Sequence, residues 1–190
     1  MTDTETAQQP KSLSAMADEV LAWCQDKGWY DTPVSFAEAM ALLHSEVAEV
    51  SEAWRQWGLA DNTAVLTYTD QATGQYALAK PEGVGSEFGD ILIRWLDDSR
   101  RFGVDPDLKV NSLPKISSSF LENMNALHTL IASSSEAFYE NDAWWYRKHA
   151  RIVTFLLQLC AHYEIDLQAE YERKMAYNRT RAYRHGGKRQ

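Results

Sequence analysis

Apolar residues recur at helical spacing in six stretches of the chain. From Ser12 to Lys27, Leu13, Met16, Val20, Leu21 and Cys24 fall three or four residues apart, and Gly28 supplies a stop. After the turn-like Trp29-Tyr30-Asp31-Thr32-Pro33, Ser35 followed by Glu38 has the form of a capping box. It opens a second helix with a seam of Phe36, Met40, Leu43, Val47, Val50, Trp54 and Trp57. A third helix is predicted over Ser86 to Phe102, with Ile91, Leu92, Trp95 and Leu96 on one stripe and Glu87, Asp90, Arg94 and Asp97 on another. In that polar stripe Asp90 and Arg94 have the spacing of an ordinary ion pair. Three more helices follow, over Phe120 to Tyr139, Trp144 to Tyr163 and about Leu167 to Arg181, beyond a Pro-, Ser- and Asn-containing crossover loop from Pro106 to Ser119.

Between Gly58 and Gly85 the period changes. Val65 to Tyr68 and Gln75 to Leu78 are β-prone runs on either side of a loop containing Gly74, which predicts a hairpin insertion. The expected architecture is therefore an all-α bundle of six helices with a small β-hairpin, a single domain over 12–183. A flexible start is expected over 1–11 and a basic, Gly-containing tail over 184–190.

The second and fourth helices resemble each other. Set without gaps, Phe36 to Trp54 and Phe120 to Phe138 agree at nine of nineteen positions, among them His44 with His128, Ser51 with Ser135 and Glu52 with Glu136. Amphipathic periodicity explains apolar matches but not these polar ones. More loosely, Ile91 to Leu96 align with Ile152 to Leu157, and Gly103-Val104-Asp105 with Glu164-Ile165-Asp166. Residues 120–163 thus read as a degenerate copy of a helical hairpin, against the plainer alternative of shared helix patterning and caps. In this register Glu46 faces Leu130, Glu49 faces Ser133, Glu87 faces Lys148 and Asp90 faces Arg151, so the copy lacks the carboxylates. Lys148 and Arg151 are either solvated charges or groups turned toward an anionic ligand.

Composition narrows the classes. A chain of 190 residues with 45% hydrophobic content is long enough to bury a core as one domain. The net charge of −8 argues against a nucleic-acid polymer as partner, since that needs a broad basic surface. From Arg173 onward, however, there are seven Lys or Arg residues and no acid, a local match for phosphates. Cys24 and Cys160 both fall in apolar helical patterns and read as buried thiols rather than a disulfide. With a polar N-terminus and no apolar run near the ~20 residues of a membrane span, a cytoplasmic protein without membrane partners is expected.

Glu46-x-x-Glu49 and Glu87-x-x-Asp90 carry the candidate chemistry. Residues i and i+3 share a helix face, so two such helices side by side bring four carboxylates to one place, more negative charge than can stay uncompensated. Mg²⁺ takes such oxygen ligands, and is often shared with substrate phosphates. A lone pair of this kind is more simply a solvated helix face; the second pair and the basic tail shift the reading. On the last helix Lys174, Asn178 and Arg181 lie at i, i+4 and i+7, one face suited to phosphate oxygens, although a basic C-terminus also complements the helix dipole. His185 and Lys188 on the tail are candidates to close over a polyphosphate. For a base, Trp29, Trp54 and Trp57 are the aromatic candidates, and the alternative for each is the core.

Glu46-x-x-Glu49, then Lys80-Pro81-Glu82-Gly83 before Glu87-x-x-Asp90, then Lys174-Met175-x-Tyr177-Asn178-x-x-Arg181 with His185-Gly186-Gly187-Lys188, resemble the blocks of the all-α nucleoside triphosphate pyrophosphohydrolases, which include MazG-like proteins and dimeric dUTPases. The resemblance covers residues 35–58, 80–106 and 164–188. It implies Mg²⁺, with Mn²⁺ as a substitute, held by Glu46, Glu49, Glu87 and Asp90. It also implies Lys174 and Asn178 on the phosphate chain, and hydrolysis of a nucleoside triphosphate to the monophosphate and pyrophosphate. One of Glu46 or Glu49 would serve as the base, and a homodimer is expected. Two features depart from the pattern: about sixty residues, those holding the weak repeat, intervene before the Lys174 block, and the linker between the acidic pairs is long. The alternative functions are a nucleotide sensor that keeps the metal site without turnover, and a structural bundle with solvated carboxylates.

Overall fold

The computed structural model describes residues 10–59, 65–66 and 80–187. Six long helices make up the all-α bundle expected from the periodicity: α1 (Leu13–Asp26), α2 (Phe36–Trp57), α3 (Val84–Phe102), α4 (Phe120–Tyr139), α5 (Trp145–His162) and α6 (Leu167–Thr180). None of the described helices is long and apolar enough to cross a membrane.

Local chemistry sets most of their ends. The Ser12 hydroxyl accepts from the Ala15 N–H at the start of α1, and Ser35 and Glu38 form the reciprocal capping box of α2. Helix α3 starts two residues earlier than its apolar pattern suggests, because Gly83, at φ 99°, turns the chain so that the Glu87 N–H reaches its carbonyl at 3.0 Å. That φ is open to glycine and strained for other residues.

Two short strands, β1 (Val65–Leu66) and β2 (Lys80–Pro81), pair antiparallel, with Val65 opposite Pro81 and Leu66 opposite Lys80. The partner of Val65–Leu66 is thus Lys80–Pro81. The Gln75 to Leu78 run lies outside the described residues, as do Lys188 and residues 1–9. The pairing fixes Lys80 just ahead of the helix that carries Glu87 and Asp90.

Helices α2 and α3 pack as a hairpin, α4 and α5 as another, and α2 lies against α4. The ring of Phe36 stacks on Phe138 with centroids 4.1 Å apart, and Trp54 stacks on Phe120 at 5.2 Å. In the register that matches Phe36 with Phe120 and Trp54 with Phe138, these two contacts exchange. His44 meets its own counterpart, His128, Nδ1 to Nδ1 at 2.8 Å. Such exchange is what a two-fold axis imposes on a self-complementary interface. The ends of the hairpins match as well: Gly103 and Glu164 are both left-handed, the Val104 N–H donates to Ser99 O, and the Ile165 N–H donates to Cys160 O. The symmetry stops at the outer layer, where α1 and α6 both pack on α3 rather than on α5. Both cysteines are buried free thiols.

Candidate functional site

The layer of α1 and α6 over α3 encloses a cavity of about 520 Å³ against α2. One end is acidic. Helix α2 supplies Glu46 and Glu49, α3 supplies Glu87, and one carboxylate oxygen from each lies within 4.8 Å of the other two. Asp90, one turn after Glu87, lines the cavity beside them. The i, i+3 spacing therefore brings three of the four predicted carboxylates into one close group, Glu46, Glu49 and Glu87; Asp90 stands outside that group but lines the cavity with Glu46 and Glu49, while Glu87 is buried behind the lining.

Two cations brace them, Lys174 from behind and Arg94 from within the cavity wall. Lys174 of α6 is 1% exposed and places its Nζ 2.6 Å from Asp90 Oδ2 and 3.5 Å from Glu87 Oε1. Gly89 makes that reach possible: a Cβ there would stand 3.2 Å from the Glu170 backbone, so α3 and α6 approach closely because position 89 has no side chain. Arg94 Nη2 donates to Glu46 Oε1 at 3.0 Å. The expected pair between Arg94 and Asp90 is not the one formed, because the α2–α3 crossing offers Arg94 a carboxylate on the neighbouring helix while Lys174 takes Asp90.

The compensation is incomplete. Burial pushes the Glu87 carboxyl up to about 8, with Asp90 and Glu49 adding to the rise against Lys174 and Lys80. Burial also raises Glu46, opposed by Arg94 and helped by Asp90 and Glu49. Glu87 Oε2 is buried with no hydrogen-bond partner. Carboxylates disfavoured in this way, with one oxygen orphaned, suit a further cation, and an all-oxygen donor set of this kind matches Mg²⁺.

The remaining predicted residues divide. Asn178, Arg181 and His185 line the cavity together with Lys80. Lys174 stands behind the carboxylates instead of in the cavity. Trp29 lines it, with Trp23 beside it, a residue whose role the helical pattern concealed because it falls off the α1 seam. Trp54 is committed to Phe120 and Trp57 packs against the core, so neither borders the cavity. Lys148 pairs with Asp142 at 3.3 Å, and neither it nor Arg151 is part of the cavity wall.

The C-terminal segment forms part of that wall by hooking onto the end of α1. The Arg184 N–H donates to Lys27 O at 3.1 Å, its Nε donates to Gly28 O at 3.0 Å, and the Tyr183 hydroxyl bonds Asp31. The hook sets the His185 ring 5.1 Å from Trp29 and 6.1 Å from Trp23. Gly28 is more than a helix stop, since its φ is 76° and a Cβ would run into the Tyr183 ring.

Fold and site together define a class: a helical bundle with an internal two-fold and a carboxylate-walled cavity rimmed by cations. No family model, curated protein or solved structure matches the chain.

Proposed function

We propose that this chain is a Mg²⁺-dependent nucleoside triphosphate pyrophosphohydrolase, of the kind its acidic and basic blocks resemble. The observation that carries the reading is the convergence of Glu46, Glu49 and Glu87 at a cavity that is lined by Glu46, Glu49 and Asp90 and also presents Lys80, Asn178 and Arg181. Glu46, Glu49, Glu87 and Asp90 would hold the metal, and bound Mg²⁺ supplies neutralisation of phosphate charge and polarisation of an attacking water. Glu46 is tied to Arg94, whereas Glu49 is exposed and has no cation bound to it among the described residues. Glu49 is therefore the group to accept the proton of that water. The water oxygen attacks the α-phosphorus, the bond from that phosphorus to the bridging oxygen breaks, and pyrophosphate leaves. Lys80 and Arg181 balance the charge of the leaving group, and Asn178 donates its amide to a phosphate oxygen.

One observation favours a second reading. The Lys174 ammonium already sits on Glu87 and Asp90, so part of the cation's electrostatic role is filled by the protein itself, as a binding protein without turnover would tolerate. A panel of nucleoside triphosphates incubated with Mg²⁺ separates the two. Release of pyrophosphate rather than orthophosphate is expected; nucleotide binding with no product from any member of the panel would favour the sensor.

A further inference from the structure

The cavity has a second polar end, opposite the carboxylate cluster along α3. Asp97 lies seven residues beyond Asp90 on the same helix, about 10 Å at helical rise, comparable to the span from the α-phosphate of a nucleotide to the far edge of its base. Its side chain is only 7% exposed, yet it lines the cavity. Tyr30 donates its hydroxyl to Oδ1 at 2.9 Å, and Arg101 donates Nε to Oδ2 at 2.8 Å. Arg101 is itself held, with its guanidinium 3.8 Å from the centre of the Tyr30 ring and its Nη2 on the Trp29 carbonyl at 3.0 Å. Asp97 is thus a fixed, charge-balanced carboxylate; the Cys24 thiol also lies against it, and each of its oxygens has a second lone pair beyond the Tyr30 and Arg101 bonds. Trp23 and Trp29 line the same cavity and give flat apolar walls for a ring.

A carboxylate only accepts hydrogen bonds, so a ring that reaches Asp97 must bring N–H groups. Uracil and thymine present one N–H between two carbonyls, which would face the carboxylate lone pair to lone pair. Adenine and cytosine place an amino group next to a ring acceptor. Guanine alone among these offers two adjacent donors, N1–H and the 2-amino group, spaced for the two oxygens of one carboxylate. Resting on the nucleotide reading of the cavity, we infer that Asp97 is its base-specificity residue and that the substrate is a guanine nucleotide.

Calorimetric titration of the full chain with dGMP, dIMP and dUMP tests this. dIMP differs from dGMP only in lacking the 2-amino group, so dGMP is expected to bind about tenfold or more tightly than either competitor. Asp97→Asn is expected to bring dGMP close to the dIMP affinity. Equal affinities of the parent chain for dGMP and dIMP would overturn the inference, a comparison that needs no variant to fold. Selective dGMP binding without pyrophosphate release from dGTP would sustain the Asp97 assignment and reject the hydrolase reading. Failure of every nucleotide to bind would reject both.

Discussion

Lys174 is the residue on which the acidic cluster depends most in the absence of a metal. It is enclosed between Glu87 and Asp90, and deleting its charge would leave those two carboxylates without the ammonium that bridges them. Breaking a buried pair from one side is costly, so Lys174→Met is expected to destabilise the chain by about 3 kcal/mol. Mg²⁺ should restore part of the loss by binding only the folded cluster, which thermal melts with and without the ion would read. The contribution of His149 depends on pH. It is fully enclosed, stacks on Trp95 at 5.5 Å, and burial holds its imidazole down at about 3, whereas an unfolded histidine titrates near 6.5. The unfolded state therefore binds the extra proton between those values, so this residue's contribution is whole above pH 6.5 and is lost as pH falls toward 3. Other groups titrate in the same range, hence the informative quantity is a difference: His149→Leu should narrow the fall in Tm between about pH 7 and pH 5.

At the scale of elements, spacing within a helix was readable and crossing between helices was not. Glu46, Glu49, Glu87 and Asp90 were legible because i and i+3 share a face whatever the helix packs against. Arg94 and Lys174 were assigned other partners or roles because their true partners, Glu46 and the Glu87–Asp90 pair, lie on neighbouring helices whose approach depends on residues such as Gly89. Trp54 and Trp29 look alike as aromatic residues in sequence, but α4 covers one and the α1–α2 turn opens the other to the cavity. The C-terminal hook escaped notice because it is built from backbone carbonyls at Lys27 and Gly28, which have no sequence signature. Gly28→Ala tests it. A left-handed alanine costs about 1 kcal/mol, and its methyl displaces the Tyr183 ring, so the variant should be cleaved by trypsin at Arg184 faster than the parent. An unchanged cleavage rate would mean that the hook is not held by that turn.

For the whole molecule, the two hairpins share a scaffold but not the chemistry. Contacts through Phe36 and Phe138, Trp54 and Phe120, and His44 and His128 relate the halves, while the carboxylates occupy only the half that α1 and α6 cover. The register that pairs Glu46 with Leu130 and Glu49 with Ser133 therefore describes a chain in which one hairpin carries the carboxylates and the other does not. On this account the second hairpin supplies the surface that holds α2 in place, and the outer helices supply the cavity. We propose the cluster on α2 and α3 as a Mg²⁺-dependent catalytic centre with Glu49 as its base. Its most direct test is the initial rate of pyrophosphate release from the best nucleotide triphosphate by Glu49→Gln and by the parent chain, at saturating Mg²⁺. The substitution keeps the side-chain shape and removes the proton acceptor, so a loss of about 100-fold or more is expected. A variant that releases pyrophosphate as fast as the parent would contradict it.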